Sequence, residues 1–108
     1  MSKSKLELKV SLLLRSKGIK FKREVLYIKG RRFKLDFEII AKEKIGIEIN
    51  GGQFMKKSGH NSASGLSRDY EKNNLGIING WKVLQYGTEI VNKNPYKIIE
   101  DLKQLGVN

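Results

Sequence analysis

Cysteine is absent from this chain of 108 residues, and proline and tryptophan each occur once. Without cysteine the chain forms no disulfide, zinc–thiolate site or thiol nucleophile, so any metal must be bound by oxygen or imidazole ligands. Long apolar runs are also lacking, because the longest, such as residues 12–14, are far shorter than the about 20 residues that span a bilayer. No apolar signal segment follows the N-terminal lysines. We therefore expect a cytoplasmic protein without a membrane partner.

Acidic residues are half as numerous as basic ones, with 11 Asp and Glu against 22 Lys and Arg, a net charge of +11. The excess is concentrated in residues 1–34, where 12 basic side chains face only Glu7 and Glu24. Such a concentration favours a polyanionic partner, usually nucleic acid. A lysine-rich surface that is merely solvated has the same composition, so the charge alone does not decide between the two.

The apolar pattern predicts one α/β domain over residues 1–108, with the element order α-β-β-β-α-β-α. Residues 5–17 fit a helix, because Ser4-x-x-Glu7 matches a capping box and Gly18 can end it; the alternation at positions 6, 8, 10 and 12 also fits a strand. Asn94 is the expected N-cap of the last helix, with Pro95 at its first position. The remaining elements are strands over 21–28, 33–40, 45–50 and 81–86, a loop over 53–67, a helix over about 67–78 and a helical turn over 88–92.

Two of these strands carry an apolar face and an acidic face. If the turn between them is centred on Lys42, antiparallel pairing sets Asp36 opposite Glu48. Facing carboxylates repel each other unless they share a cation or one is protonated. Oxygen ligands on one rigid face suit Mg²⁺ or Mn²⁺, and Glu38 and Glu7 could add to a site for one or two ions. The alternative is that these acids occupy the solvated face of an amphipathic sheet.

Two segments of the chain resemble the D…E-x-K core of the PD-(D/E)XK nuclease superfamily. The first is Arg31-Arg32-Phe33-Lys34-Leu35-Asp36-Phe37, and the second is Ile47-Glu48-Ile49-Asn50-Gly51-Gly52. The chain is most similar to small phage and prophage endonucleases related to the virus-type replication-repair nuclease domain and to very-short-patch-repair-like endonucleases. The resemblance extends from Glu7 to about Tyr86. Its later motifs are Gly59-His60, Gly65, Asp69-Tyr70-Glu71-Lys72, Asn74 and Gly80-Trp81-Lys82-Val83-Leu84.

The resemblance implies a restriction-endonuclease-like α-β-β-β-α-β core with an additional C-terminal helix, and Mg²⁺-dependent hydrolysis of DNA phosphodiester bonds. Carried over by position, Asp36 and Glu48 are the metal ligands, the carbonyl of Ile49 completes the set, and Glu7 is an accessory ligand. For Glu7 the capping box with Ser4 is a competing explanation.

Asn50 departs from the family pattern, because it stands where lysine is usual. A lysine offsets developing phosphate charge, whereas a neutral amide only orients water. Lys72 is the first candidate to replace that charge. His60 is the second, as a proton relay with a pKa in the physiological range, and Gln53 is a further candidate for positioning water.

The basic residues expected to neutralise flanking phosphates are Arg31, Arg32 and Lys34 at the hairpin and Lys56, Lys57 and Arg68 around the loop. Trp81 and Tyr86 are expected in the core, while Tyr70 and Phe54 are candidates for stacking on an unpaired base.

These features together predict a metal-dependent endodeoxyribonuclease acting in a bacterial or phage-infected cell. Branched or nicked DNA in phage replication, repair or recombination is the expected substrate class, and a homodimer is left open. The alternative is a catalytically inactive nucleic-acid-binding module on a nuclease scaffold. RNA ranks last, because the chain has no RNA-recognition signature.

Overall fold

The computed structural model describes residues 2–50 and 63–108, with no side-chain description for residues 63 and 64. The four strands form one sheet in chain order, in which β1, β2 and β3 are antiparallel and β3 and β4 are parallel. The chain is therefore an α/β domain with a mixed sheet, and the predicted order of elements is confirmed. The elements are α1 (Lys3–Ser16), β1 (Phe21–Leu26), β2 (Lys34–Ile39), β3 (Lys44–Asn50), α2 (Ala63–Ile78), β4 (Trp81–Gly87), α3 (Thr88–Lys93) and α4 (Tyr96–Gln104).

The hydrophobic core lies between one face of the sheet and helices α1, α3 and α4. Helix α1 buries one stripe there, while Leu8 and Leu12 on its other side are more than half exposed, which settles the choice between helix and strand. Removing these apolar groups from water is the main stabilising contribution to the fold. The core includes Leu6, Val10, Leu14, Phe37, Ile39, Ile45, Ile47, Ile49, Tyr86, Val91, Ile98, Ile99 and Leu102.

The ends of two helices differ from the prediction. Helix α1 begins after Ser2, whose hydroxyl accepts from the backbone N–H of Lys5, so the capping box at Ser4 was wrong. Helix α4 has Pro95 as its N-cap residue, with no side-chain cap, so the assignment of Asn94 was wrong by one position. Gly18 does follow α1 in a left-handed conformation, with φ of +71°.

Strand β2 changes its packing at Asp36, which the simple alternation did not predict. Phe37 and Ile39 enter the core beside α1. The methyl groups of Leu35 instead lie 2.5 and 2.9 Å from where a Cβ on Gly46 would stand. Gly46 alternates with the core residues Ile45 and Ile47 and so faces the other side of the sheet. The strand therefore twists between Leu35 and Phe37.

Helix α2 lies on this second face of the sheet, close to Tyr27 and β4. Trp81 is half-buried there and contacts the ring of Tyr27 edge to face at 5.5 Å between centroids. Its predicted place in the core was therefore wrong, whereas Tyr86 is buried as predicted. Among the described residues, no helix is long and apolar enough to cross a bilayer.

Candidate functional site

Asp36 lies where the regular pairing of β2 ends on both sides. The β2–β3 ladder runs from Ile39 and Ile45 to Phe37 and Ile47, which centres it on Lys42 as predicted, and the same register continued by one residue would set Asp36 opposite Glu48. The β1–β2 ladder keeps a constant register but has no pair at Asp36 and Glu24. By this counting, Glu24, Asp36 and Glu48 fall at corresponding positions of three adjacent strands, with Asp36 in the middle.

Where the β2–β3 ladder ends, the side-chain carboxylate of Asp36 takes the place of a backbone carbonyl as hydrogen-bond acceptor. Its Oδ2 accepts a hydrogen bond of 2.8 Å from the backbone N–H of Ile49. The residue is only 7% exposed, so it does not belong to a solvated face. This bond fixes one carboxylate oxygen and directs the other toward the groups at the N-terminus of α1.

A cluster of three carboxylates surrounds this point. Glu7, Glu24 and Asp36 each offer an oxygen, and these oxygens lie within 4.8 Å of one another. Glu7 is buried and Glu24 has φ of +55°, an unusual backbone conformation for a residue with a side chain. Glu24 was missed in the sequence, although it and Asp36 both lie six residues from Gly30, the centre of the hairpin register.

Two basic residues face the acidic cluster. The Nζ of Lys3 lies 3.2 Å from Asp36 Oδ1 and 3.8 Å from Glu7 Oε2. Arg23 donates to Glu7, to the hydroxyl of Ser11 and to the backbone carbonyl of Asp36. Three carboxylates thus share two cations, which leaves the cluster one negative charge in excess.

The charges of these residues act on the titration of Glu7 and Lys3. Burial raises the pKa of Glu7 and the Asp36 charge raises it further, against the opposing effect of Lys3 and Arg23. For Lys3, burial lowers the pKa but the carboxylates of Asp36, Glu7 and Glu48 outweigh it, so the net pKa is raised. Lys3 is therefore the protonated counter-charge of the cluster.

Glu48 and Lys72 complete the site from the other side. Lys72 Nζ lies 2.9 Å from Glu48 Oε2, with side chains 21% and 17% exposed. Glu48 is outside the tight carboxylate cluster, but it lines the same cleft as Asp36. We call this cleft of about 350 Å³ the basic cleft, and it is lined by Lys3, Glu24, Arg32, Phe33, Lys34, Asp36, Glu48, Arg68, Asp69 and Lys72.

The other predicted site residues divide into three groups. Arg32, Lys34 and Arg68 line the basic cleft, and the Arg68 guanidinium lies 5.0 Å from the centre of the Phe33 ring. Arg31 and Asn50 are engaged elsewhere, as described next. The positions Gln53, Phe54, Lys56, Lys57 and His60 lie outside the described residues.

Arg31 forms a two-pronged ion pair with Glu71, at 2.8 and 2.9 Å, that joins the hairpin to helix α2. This hydrogen-bonded pairing raises the pKa of Arg31 and lowers the pKa of Glu71. The amide of Asn50 donates to Gln85 Oε1 at 2.8 Å, so the position at which the resemblance implies a lysine serves a contact with β4. Lys72, not Asn50, is the residue that approaches Glu48.

The oxygen donors of the site fit a hard divalent ion. Glu7, Glu24 and Asp36 offer carboxylate oxygens within 4.8 Å of one another, and Glu48 presents a further carboxylate to the same cleft as Asp36. Glu7, Glu24 and Asp36 are the residues whose oxygens could hold an ion together, whereas Glu48, the other predicted ligand, lies outside this group and pairs with Lys72.

No protein-family model matches the sequence, and no curated protein matches it significantly. The chemistry of the site therefore has to be inferred from its own residues. Those residues are a set of oxygen ligands, a lysine beside one of them and a basic rim.

Proposed function

We propose that this protein is a metal-dependent endodeoxyribonuclease with a PD-(D/E)XK-like core. The observation that carries the proposal is that Asp36, Glu48 and Lys72 line one cleft together with basic side chains. Acids alone favour a structural cation, and basic residues alone favour simple DNA binding. The combination suits an enzyme that binds a phosphate and stabilises charge as it develops.

Asp36 and Glu48 would hold the ion, with Glu7 and the Ile49 carbonyl as further ligands. A bound Mg²⁺ or Mn²⁺ supplies Lewis-acid stabilisation of the phosphate and acidifies water. Lys72 places its ammonium group beside Glu48, where it can donate to a phosphate oxygen and offset the growing negative charge. It thereby takes over the role that Asn50 cannot perform.

Arg32, Lys34 and Arg68 bind the flanking phosphates, which gives affinity without a sequence code. Arg31 would contribute less, because Glu71 already engages its guanidinium. His60 remains the proposed proton relay to the leaving group, and Gln53 a proposed group for positioning water. Branched or nicked DNA is the proposed substrate class, with a homodimer as one arrangement for gripping it.

A second function is favoured by Lys3. Its ammonium group lies 3.2 Å from Asp36 and so neutralises part of the cluster without any metal. A protein whose acids are balanced in this way could bind nucleic acid and cleave nothing. The motif position occupied by Asn50 is consistent with this inactive module.

Plasmid nicking with Mg²⁺ or Mn²⁺ separates the two functions. The wild type is compared with Asp36→Ala and Lys72→Ala, and with Lys93→Ala as a matched control, because Lys93 pairs with the exposed Glu89 outside the basic cleft. We expect both site variants to lose at least about a hundredfold in rate and the control to stay near wild type. DNA binding without cleavage in the wild type under both metals would instead support the inactive module.

A further inference from the structure

A second cleft, of about 480 Å³, adjoins the basic cleft beneath helix α2. Tyr27, Asn50, Trp81 and Gln85 line it, and it shares Glu48, Asp69 and Lys72 with the basic cleft. We call it the neutral cleft. Its volume is in the range of pockets that bind small organic groups, roughly 300–1,000 Å³.

The two clefts differ sharply in charge. Beyond the shared residues, the charged side chains of the basic cleft are four basic ones, Lys3, Arg32, Lys34 and Arg68, and two acidic ones, Glu24 and Asp36. In the neutral cleft, Lys82 is the one further charged side chain among the described residues, and its Nζ is paired with Glu43 at 2.6 Å. An anionic group is therefore favoured on one side of the Glu48–Lys72 pair and a neutral group on the other.

The walls of the neutral cleft combine aromatic rings with amides. Tyr27 and Trp81 contact edge to face. The bond from Asn50 to Gln85 uses one donor and one acceptor, while the Asn50 carbonyl and the Gln85 amino group supply another acceptor and donor. Flat rings beside a donor and an acceptor are the chemistry that recognises a nucleobase.

The ring of Tyr27 lies beside helix α2. A Cβ on Gly76 of helix α2 would lie 3.4 Å from Tyr27 Cε2, so the helix approaches the ring closely at this glycine. Burial, together with the charge of Glu48, raises the pKa of Tyr27 to about 12. A tyrosine phenol with its ordinary pKa of about 10 is already neutral at physiological pH, so the ring is an uncharged wall of the cleft.

We propose that the neutral cleft binds an unpaired nucleobase whose own phosphate lies in the basic cleft. The inference rests on the proposed function, since it takes the basic cleft as the phosphate site. A nucleotide joins an anionic phosphate to a neutral aromatic base over a short distance. The basic cleft and the neutral cleft likewise adjoin each other at the Glu48–Lys72 pair, so one nucleotide could place its phosphate in the first and its base in the second. A base stacked and paired within a duplex cannot enter a cleft beneath a helix. The protein would thus prefer single-stranded, frayed or flapped DNA.

Trp81 provides a direct test, because it is the only tryptophan of the chain and lines the neutral cleft. The full chain is titrated in EDTA, to prevent cleavage, with a short DNA strand, an abasic strand of equal length and the blunt duplex. Affinities are measured in parallel by anisotropy of the labelled DNA. We expect the normal strand to quench Trp81 emission and to bind about tenfold more tightly than the duplex or the abasic strand.

A substitution sharpens this test. Gln85→Ala should weaken binding of the normal strand about tenfold and leave duplex and abasic binding within about twofold. Gln104→Ala is the matched control, because this exposed amide on α4 lies outside both clefts.

Two results would overturn the base site: Trp81 emission that is unchanged when DNA saturates the protein, or Gln85→Ala binding each DNA as tightly as the wild type does. If metal-dependent cleavage persists in that case, only the base site fails and the proposed function stands. If no DNA of any form is bound, the phosphate site fails as well, and the proposed function fails with it.

Discussion

Helices α1 and α2 are similar in length, 14 and 16 residues, but they use the sheet in opposite ways. Helix α1 packs Leu6, Val10 and Leu14 into a continuous core. Along α2, residues 65–78 bury only Gly76, while Tyr70, Ile77 and Ile78 are well over half exposed. One side of the sheet is closed and supplies stability, and the other holds two clefts. We therefore expect substitutions to separate stability from function by the face on which they lie.

The largest effect on stability should come from the closed side. Phe37→Ala removes a fully buried ring that packs against Phe21 and lies under the guanidinium of Arg23. We expect a loss of about 3–5 kcal/mol in the free energy of unfolding, measured with urea. Ile77→Ala on the exposed side of α2 is the control and should change stability by no more than about 0.5 kcal/mol. Equal losses would mean that α2 is packed as tightly as α1.

Two glycines sharpen the comparison between tight and loose packing. Gly46→Ala places a Cβ 2.5 Å from a methyl group of Leu35, which is fully buried and has little room to move. A loss of about 1–3 kcal/mol is expected. Gly76→Ala on α2 meets nothing closer than 3.4 Å and gains helix propensity, so it should be neutral or stabilising by up to about 1 kcal/mol. Thermal unfolding of both variants measures the difference, and a stabilised Gly46→Ala would contradict the packing of Leu35.

A polar contact on the closed side should give a smaller, pH-dependent effect. The pKa of Asp101 is lowered by hydrogen bonds from Lys97 and from the buried hydroxyl of Tyr86. When folding lowers the pKa of a carboxyl group, the charged carboxylate stabilises the fold at any pH above the pKa of the unfolded chain. This stabilisation is lost as the pH falls through the lower pKa of the folded protein. Tyr86→Phe should therefore cost about 1 kcal/mol at neutral pH, and less once Asp101 is protonated. Urea unfolding of both proteins at neutral pH and at an acidic pH below the lowered pKa of Asp101 checks this. If Tyr86→Phe lowers the free energy of unfolding equally at both pH values, Asp101 is not the cause.

The smallest effect concerns the N-terminus of α1, where it borders the basic cleft. Lys3 shares Asp36 and Glu7 with any ion that binds there. Because its side chain is half exposed, removing it should tighten Mn²⁺ binding only about threefold. Lys5→Ala, an exposed lysine two positions further along α1, is the control. Weaker Mn²⁺ binding in Lys3→Ala would mean that this lysine supports the ion and does not compete with it.

The sequence allowed prediction of what depends on short-range geometry. Period-two alternation and the turns near Gly30 and Lys42 fix both strand registers, so the centre of the β2–β3 ladder at Lys42 followed from counting. The same counting would have located Glu24. The twist of β2 at Asp36 was not predictable, because it depends on a bond to Ile49 and on the left-handed backbone of Glu24.

Contacts between distant segments were likewise beyond the sequence. Arg31 was predicted to bind phosphate, but it pairs with Glu71, 40 positions away. Lys3 reaches Asp36 only because α1 docks on the sheet with its first turn over the end of β2. Lys72 was the exception: its similarity to the family motif led to a residue that does approach Glu48.

The central claim is that Asp36 and Glu48 bind one divalent cation together. It is tested most directly by measuring Mn²⁺ binding by electron paramagnetic resonance in the wild type, Asp36→Asn and Glu48→Gln, with Glu43→Gln as a control outside the basic cleft. We predict saturable binding in the wild type and in the control, and loss of at least about tenfold in affinity in each site variant. Equal Mn²⁺ affinity in all four proteins, or no binding in the wild type, would contradict the account.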